Sequence, residues 1–255
     1  MPFSRSTKPA APDWLISRPI AHRGLHDRAS GAIENSMTAF RRAKDAGLPI
    51  ELDVHLSSDH VPVVFHDETL ERVAGDPRRV CDVPAKELEQ LPLYDSKDSI
   101  PNLRSVFDMI AGSVPLVIEL KQSPLGRKIL AQKVWEVLRD YQGLFAVQSF
   151  DPIILKWFRQ NAPKVIRGQL AMKSPPRKMP AYRKFFMRHM LLNGLSKPHY
   201  IGYYCEDIDN WTVRWAVKSN MRLLAWTVSS KEQLDHARQH ADNIIFENLP
   251  LDLVI

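Results

Sequence analysis

Two histidines, three acids and two bases recur at one kind of place in this sequence, the C-terminal end of a short β-rich run. His22 and Arg23 follow PIA, Glu51 and Asp53 sit in IELDV, His66 closes VPVVFH, and Glu119 and Lys121 end VIELK. Residues i and i+2 of a strand share a face, so Glu51 points with Asp53, and Glu119 with Lys121. Two carboxylates on one face of an apolar segment repel each other and lose hydration, and a divalent cation relieves both penalties. Glu119, from the next strand, completes a set of three acids. All-oxygen ligation favours Mg2+ or Ca2+, with Mn2+ also suited, over Zn2+. Imidazoles titrate near neutrality, so His22 and His66 can take a proton from an attacking oxygen and give one to a leaving oxygen. Arg23 and Lys121 supply positive charge for phosphate oxygens, the guanidinium with bidentate geometry. A strand-end histidine, an ExD pair or a lysine taken singly has an ordinary structural use. Their joint placement at strand ends is what points to displacement at phosphorus.

The elements that position these groups alternate between β-rich runs and helical patterns, the mark of a parallel sheet with crossover helices. Eight strands are expected at 19–22, 50–54, 115–120, 145–149, 165–170, 200–204, 222–228 and 243–248. A ninth run at 61–66 follows the second strand with no room for a crossover. Ser57-Ser58-Asp59-His60 therefore reads as a tight reversal, and 61–66 as a returning hairpin arm that carries His66 back to the mouth. Eight parallel strands close a barrel, and a (β/α)8 barrel carries its site at the strand C-termini. Ser36 reads as the cap of a helix ending at Gly47, and Asp151-Pro152 as another helix start. Two insertions interrupt the alternation, 67–102 and 172–198.

A length of 255 residues with 44% hydrophobic composition fits one such domain. The expected division is a flexible leader, 1–13, and a barrel domain, 14–255. No apolar stretch is long enough to span a bilayer. The leader lacks the apolar core of roughly 7–15 residues that a secretory signal carries, so a cytoplasmic protein is expected. Cys81 and Cys205 lie in no CxxC or metal spacing, which argues against a disulfide framework. The net charge of +6 is uneven: 152–205 holds eleven Lys or Arg and no acid, against 24 basic and 29 acidic residues elsewhere. Such a block attracts anionic substrate or an anionic membrane surface, or is simply a solvated face. No nucleic-acid-binding motif accompanies it, so nucleic acid is not an expected partner. Oligomeric state is not legible.

The stretch IAHRGLHDRASGAIENSMTAFRRAKDAGLPIELDVHLSSDHVPVVFHDETLERV resembles the glycerophosphodiester phosphodiesterase family. HRG, the EN motif with AF, ExDV and HD occur in the family's order. The likeness continues through PNLRSVFD, VIELK, VQSFDPIILKWFR, AWTVSSKEQLD and NIIFENLP. The resemblance implies a single TIM barrel with a β-hairpin after strand two. It also implies a phosphoric diester hydrolase that uses a divalent metal to cleave glycerophosphodiesters to glycerol 3-phosphate and an alcohol. The catalytic pair then falls on His22 and His66, the metal carboxylates on Glu51, Asp53 and Glu119, and phosphate binding on Arg23 and Lys121. Glu34 and Asn35 match the EN motif and are expected beside the metal or the histidines. Trp226 takes the family's aromatic position, packing either the glycerol moiety or the barrel top.

Four departures touch the turn and the pocket rim. ENS stands for ENT, His60 for a turn glycine, WTVS for WTVN, and FENLP for TDxP. The last two leave the alcohol specificity open. The basic, aromatic segment 172–198 reads as an amphipathic lid or membrane contact, or as an outer barrel helix. With the basic block 152–205 it supports an alternative reading, a phospholipase of C or D type acting on lipid diesters.

Overall fold

The computed structural model describes residues 11–173 and 181–255. Nine strands are found among these residues: β1 (Ile20–Ala21), β2 (Ile50–Leu56), β3 (Pro62–Val64), β4 (Leu116–Leu120), β5 (Phe145–Ser149), β6 (Ile166–Ala171), β7 (Tyr200–Tyr204), β8 (Arg222–Val228) and β9 (Asn243–Phe246). The order is β1-β9-β8-β7-β6-β5-β4-β2-β3, and a β1–β2 pairing closes the ring. Every pairing is parallel except β2–β3, an antiparallel hairpin in register Val54 to Val64. The barrel and its hairpin are thus those expected. The reversal falls at 57–60, where His60 adopts a left-handed φ of 62° and donates its N–H to the Ser57 carbonyl, so histidine fills the glycine's conformational place.

Alternation along each strand divides the core in two. Leu52, Val54, Ile118, Val147, Ile201 and Leu223 face outward into the cluster shared with the helices. Ile20, Val117, Ala146, Tyr200, Leu224 and Ile245 face inward and fill the barrel, with Leu15 packed among them. The Tyr200 ring is fully buried and lies across Gly168, where an added Cβ would meet ring carbons at 2.1 Å. Overpacking of a rigid core costs about 1–3 kcal/mol. Gly168→Ala is therefore expected to cost at least about 2 kcal/mol, read as a lowered urea midpoint at unchanged m-value.

Helix boundaries follow local chemistry. Ser36 Oγ accepts from Ala39 N at the start of Met37–Asp45, and the Asp151 carboxylate accepts from Ile153 N at the start of Pro152–Asn161. The polar-looking insertion 67–102 has an apolar core of its own beneath Val63 and Phe65, built from Leu70, Val73, Val80, Val83 and Leu88. Insertion 172–198 forms helices Ala181–Arg188 and Asn193–Ser196, and its residues 174–180 lie outside the described residues, as does most of the expected 1–13 leader. Among the described residues no helix is long and apolar enough to cross a membrane.

Candidate active site

The C-terminal ends of β1, β2, β4 and β9 meet at one mouth of the barrel. Glu51 and Asp53 point inward from β2, as their spacing requires, and Asp53 pairs in register with Glu119 on β4. Oxygens of Glu51, Asp53 and Glu119 all lie within 4.8 Å of one another, and each residue is at least nine-tenths buried. Repulsion within this trio is met unevenly. Lys121 Nζ lies 2.8 Å from both Asp53 Oδ1 and Glu119 Oε1, and Arg23 Nε lies 3.3 Å from Asp53 Oδ2. Burial alone would raise the Asp53 pKa, but Lys121 and Arg23 hold this carboxyl well below the usual carboxylate range. Among the described residues, Glu51 receives hydrogen bonds only from the Arg23 backbone N–H (3.2 Å) and the Gln148 amide (3.3 Å). Burial, then the neighbouring Asp53 and Glu119, push its carboxyl well above the ordinary value. Burial also raises Glu119.

Three converging buried carboxylates with two of them pushed toward protonation form a donor set that fits a hard divalent cation. Asp53 Oδ1 has an ion-pair contact but no directed hydrogen bond, which leaves lone-pair capacity for ligation.

Each expected imidazole is held on one nitrogen by a carboxylate. His22 Nδ1 lies 2.5 Å from Glu247 Oε2, and His66 Nδ1 lies 2.6 Å from Asp67 Oδ1. A carboxylate at Nδ1 keeps the proton there and leaves Nε2 as the basic nitrogen. His22 Nε2 faces the acids, 4.0 Å from Glu51 Oε2. Burial lowers both histidines from their ordinary value, against the raising effect of their carboxylate partners. The Asp53 charge acts on both rings.

Around this centre, the EN motif is accounted for. Asn35, fully buried with φ 57°, donates its amide to Asp53 Oδ2 (2.9 Å) and accepts from Asp53 N (3.3 Å). Glu34 stands outside the acid trio and bonds Arg23 Nη1 at 2.7 Å. The adjacent Gly24 needs its left-handed φ of 81°, and a Cβ there would meet the Ala39 backbone at 2.9 Å. Trp226 packs edge-on against Phe150 and Tyr204 at the rim, with its indole N–H buried and without a hydrogen-bond partner among the described residues.

Several residues at the site were not anticipated. Glu247 follows β9 in the very stretch where FENLP departs from the family pattern, and it also reaches His26 Nε2 at 3.3 Å. Arg72, from the 67–102 insertion, bridges Glu34 and Asp67, and together with His66 holds the Asp67 carboxyl down to about 2 against burial. Beneath the acids, the Tyr200 hydroxyl donates to Gln148, whose amide donates to Glu51. Only the HD pair signalled Asp67; the others come from elements remote in sequence.

The profile of the glycerophosphoryl diester phosphodiesterase family matches residues 22–248. The glycerophosphodiester phosphodiesterase of Caldanaerobacter subterraneus subsp. tengcongensis is 28% identical over 242 residues, 90% of this chain and 93% of that one. The human lysophospholipase D GDPD1 is 32% identical over 140 residues, half of this chain and 42% of its own length. Among solved structures, a phosphodiesterase of Oleispira antarctica, in complex with the product sn-glycerol-3-phosphate, superposes with a TM-score of 0.76 at 24% identity, covering 94% of this chain and 96% of that one. With a closed barrel, an acid trio and paired imidazoles at one mouth, and a family match across nearly all of its length, this chain is an enzyme of the glycerophosphodiester phosphodiesterase family.

Proposed function

We propose that this enzyme hydrolyses glycerophosphodiesters to glycerol 3-phosphate and an alcohol, with His22 and His66 as the general acid–base pair. The supporting observation is that each imidazole has Nδ1 fixed by a carboxylate, with His22 Nε2 4.0 Å from Glu51 of the buried acid trio and the Asp53 charge acting on both rings. The product bound by the Oleispira neighbour is the glycerol 3-phosphate half of such a substrate. One imidazole takes a proton of the attacking water as its oxygen bonds to phosphorus. The other, entering the step as imidazolium with a second proton on Nε2, gives that proton to the departing alkoxide as the P–O bond breaks, so charge and protons balance. Arg23 and Lys121 set positive charge against the phosphoryl oxygens. Asn35 fixes Asp53, Gln148 fixes Glu51, and Trp226 walls the pocket rim. Glu51, Asp53 and Glu119 would hold a divalent cation, Mg2+, Ca2+ or Mn2+, which supplies Lewis-acid stabilisation of the phosphoryl oxygens when bound.

The barrel is taken as one domain, 14–255. A cytoplasmic location accords with two buried, unpaired cysteines. The basic segment 152–205 borders exposed Trp211 and Trp215, each 65% accessible, a combination suited to peripheral contact with anionic membrane.

A panel of soluble glycerophosphodiesters assayed in EDTA, then with Mg2+, Ca2+ or Mn2+ restored, tests the reading. EDTA is expected to lower turnover at least about 10³-fold, the equivalent of about 4 kcal/mol of lost stabilisation, and a restored cation to recover it. Full activity in EDTA would refute the role of the acids.

A further inference from the structure

Beside the acid trio, two imidazoles converge on one carboxylate oxygen. Glu247 Oε2 lies 2.5 Å from His22 Nδ1 and 3.3 Å from His26 Nε2. One ligand atom from each of the three residues lies within 4.8 Å of the others. His22 and Glu247 follow the paired strands β1 and β9, and His26 follows the left-handed turn at Arg23 and Gly24 (φ 54° and 81°). Two imidazoles and a carboxylate are a donor set for a borderline transition ion, and Zn2+ takes such a set tetrahedrally with a fourth position left to water. Bonds of about 2.0–2.1 Å set tetrahedral ligands about 3.3 Å apart. His26 and Glu247 already stand at that separation, and the His22–Glu247 contact has only to open toward it as the carboxylate turns. The three side chains are 14%, 15% and 24% accessible, so an ion can reach them from the mouth. The acid trio is buried and all-oxygen, a set for hard cations. Donor type therefore sorts cations between the two places.

We propose that His22, His26 and Glu247 form an inhibitory Zn2+ site separate from the acid trio. On coordination, His22 Nδ1 gives its lone pair to the ion, so the one proton of the neutral ring moves to Nε2. Glu247 exchanges its hydrogen bond for a metal bond, and the proton count of the pair is unchanged. A ring in this state cannot accept a proton at Nε2. It cannot become imidazolium either, because the ion occupies the nitrogen that would carry the second proton. His22 is thereby closed to acid–base chemistry in both roles. This inhibitory effect rests on the acid–base reading of His22 above, whereas the binding of Zn2+ does not. Glu247 lies in FENLP, where this chain departs from the family pattern, so the site belongs to this chain and not to the shared chemistry.

The test is a titration of Zn2+ into the Mg2+-saturated enzyme, followed by calorimetry and by glycerophosphocholine turnover, beside His26→Gln. The glutamine amide can still donate to Glu247 but offers no imidazole nitrogen. In the parent, one equivalent of Zn2+ is expected to bind and to lower kcat at least about 10²-fold, the smaller yield of a positioned acid or base. Added Mg2+ should not relieve the inhibition. His26→Gln should keep the parent's Zn2+-free turnover and thermal midpoint, yet need at least about tenfold more Zn2+ for both binding and inhibition. Inhibition that Mg2+ relieves, or that is equal in parent and variant, would place Zn2+ at the acid trio and overturn the second site. Binding through His26 with unchanged or raised turnover would overturn the inhibitory role. A lower Zn2+-free turnover in His26→Gln with an unaltered Zn2+ response would also overturn the proposal, marking His26 as a brace for Glu247. An enzyme that cleaves no diester in Mg2+ yet binds Zn2+ through His26 would sink the phosphodiesterase reading and leave the metal site standing.

Discussion

His66→Ala and His22→Ala are each expected to lower kcat on glycerophosphocholine by about 10²–10⁴-fold, the usual yield of a positioned general acid or base. Neither ring is a core support: His66 is a third exposed, and His22 borders the mouth. The thermal midpoints should stay within a few degrees of the parent, so lost turnover reports chemistry and not unfolding. Glu247→Gln extends the test to the carboxylate that the sequence pattern obscured. An amide can donate to His22 Nδ1 and so place the ring proton on Nε2, upsetting the protonation state that the carboxylate sets. The expected result is a fall in kcat of at least about tenfold with KM nearly unchanged. If Glu247 merely braces the barrel rim, stability and KM would shift instead, with kcat preserved.

The second large effect separates two acids that look alike in sequence. Asp53 is held ionised by Lys121 and Arg23, so it stabilises the fold as an anion. Its folded-state pKa is depressed, and that stability is present above the unfolded carboxylate pKa and lost as pH falls through the folded value. Asp53→Asn leaves two buried cations short of a partner and is expected to cost about 3–5 kcal/mol in urea denaturation. Glu51 has the opposite sign. Its folded-state pKa is raised by burial and by Asp53 and Glu119, so its anion opposes folding at neutral pH when no cation is bound. In EDTA, Glu51→Gln is expected to leave the urea midpoint at pH 7 unchanged or higher. Both variants should lose about 10³-fold in metal-supported turnover. A fall in stability for Glu51→Gln comparable to that of Asp53→Asn would show that the trio is a structural network and not a ligand set.

Much of this was legible because strands translate sequence spacing directly into facing. Glu51 with Asp53, and Glu119 with Lys121, had to share a face once IELDV and VIELK were strands, and the hairpin followed from the lack of a crossover before 61–66. Closure of the sheet then brought β1, β2 and β4 to one mouth. Interactions set by long-range closure were not legible. Glu247 meets His22 only because β9 pairs with β1, joining residues 225 positions apart. FENLP was a departure that bore only on alcohol specificity, whereas its glutamate takes hold of an imidazole. Arg72 was hidden in an insertion whose polar appearance concealed a small apolar core that fixes its position. Lys121 was expected to face phosphate alone; in the structure its ammonium also lies between Asp53 and Glu119, because their buried charge draws it in.

The most direct check on the central claim is the anomalous difference map of a crystal soaked in Mn2+. A single strong peak among the Glu51, Asp53 and Glu119 carboxylates, at about 2.0–2.2 Å from their oxygens, is the predicted result. No peak there, or a peak only at the His22, His26 and Glu247 cluster on the other side of the first imidazole, would contradict the assignment of the acid trio as the cation site.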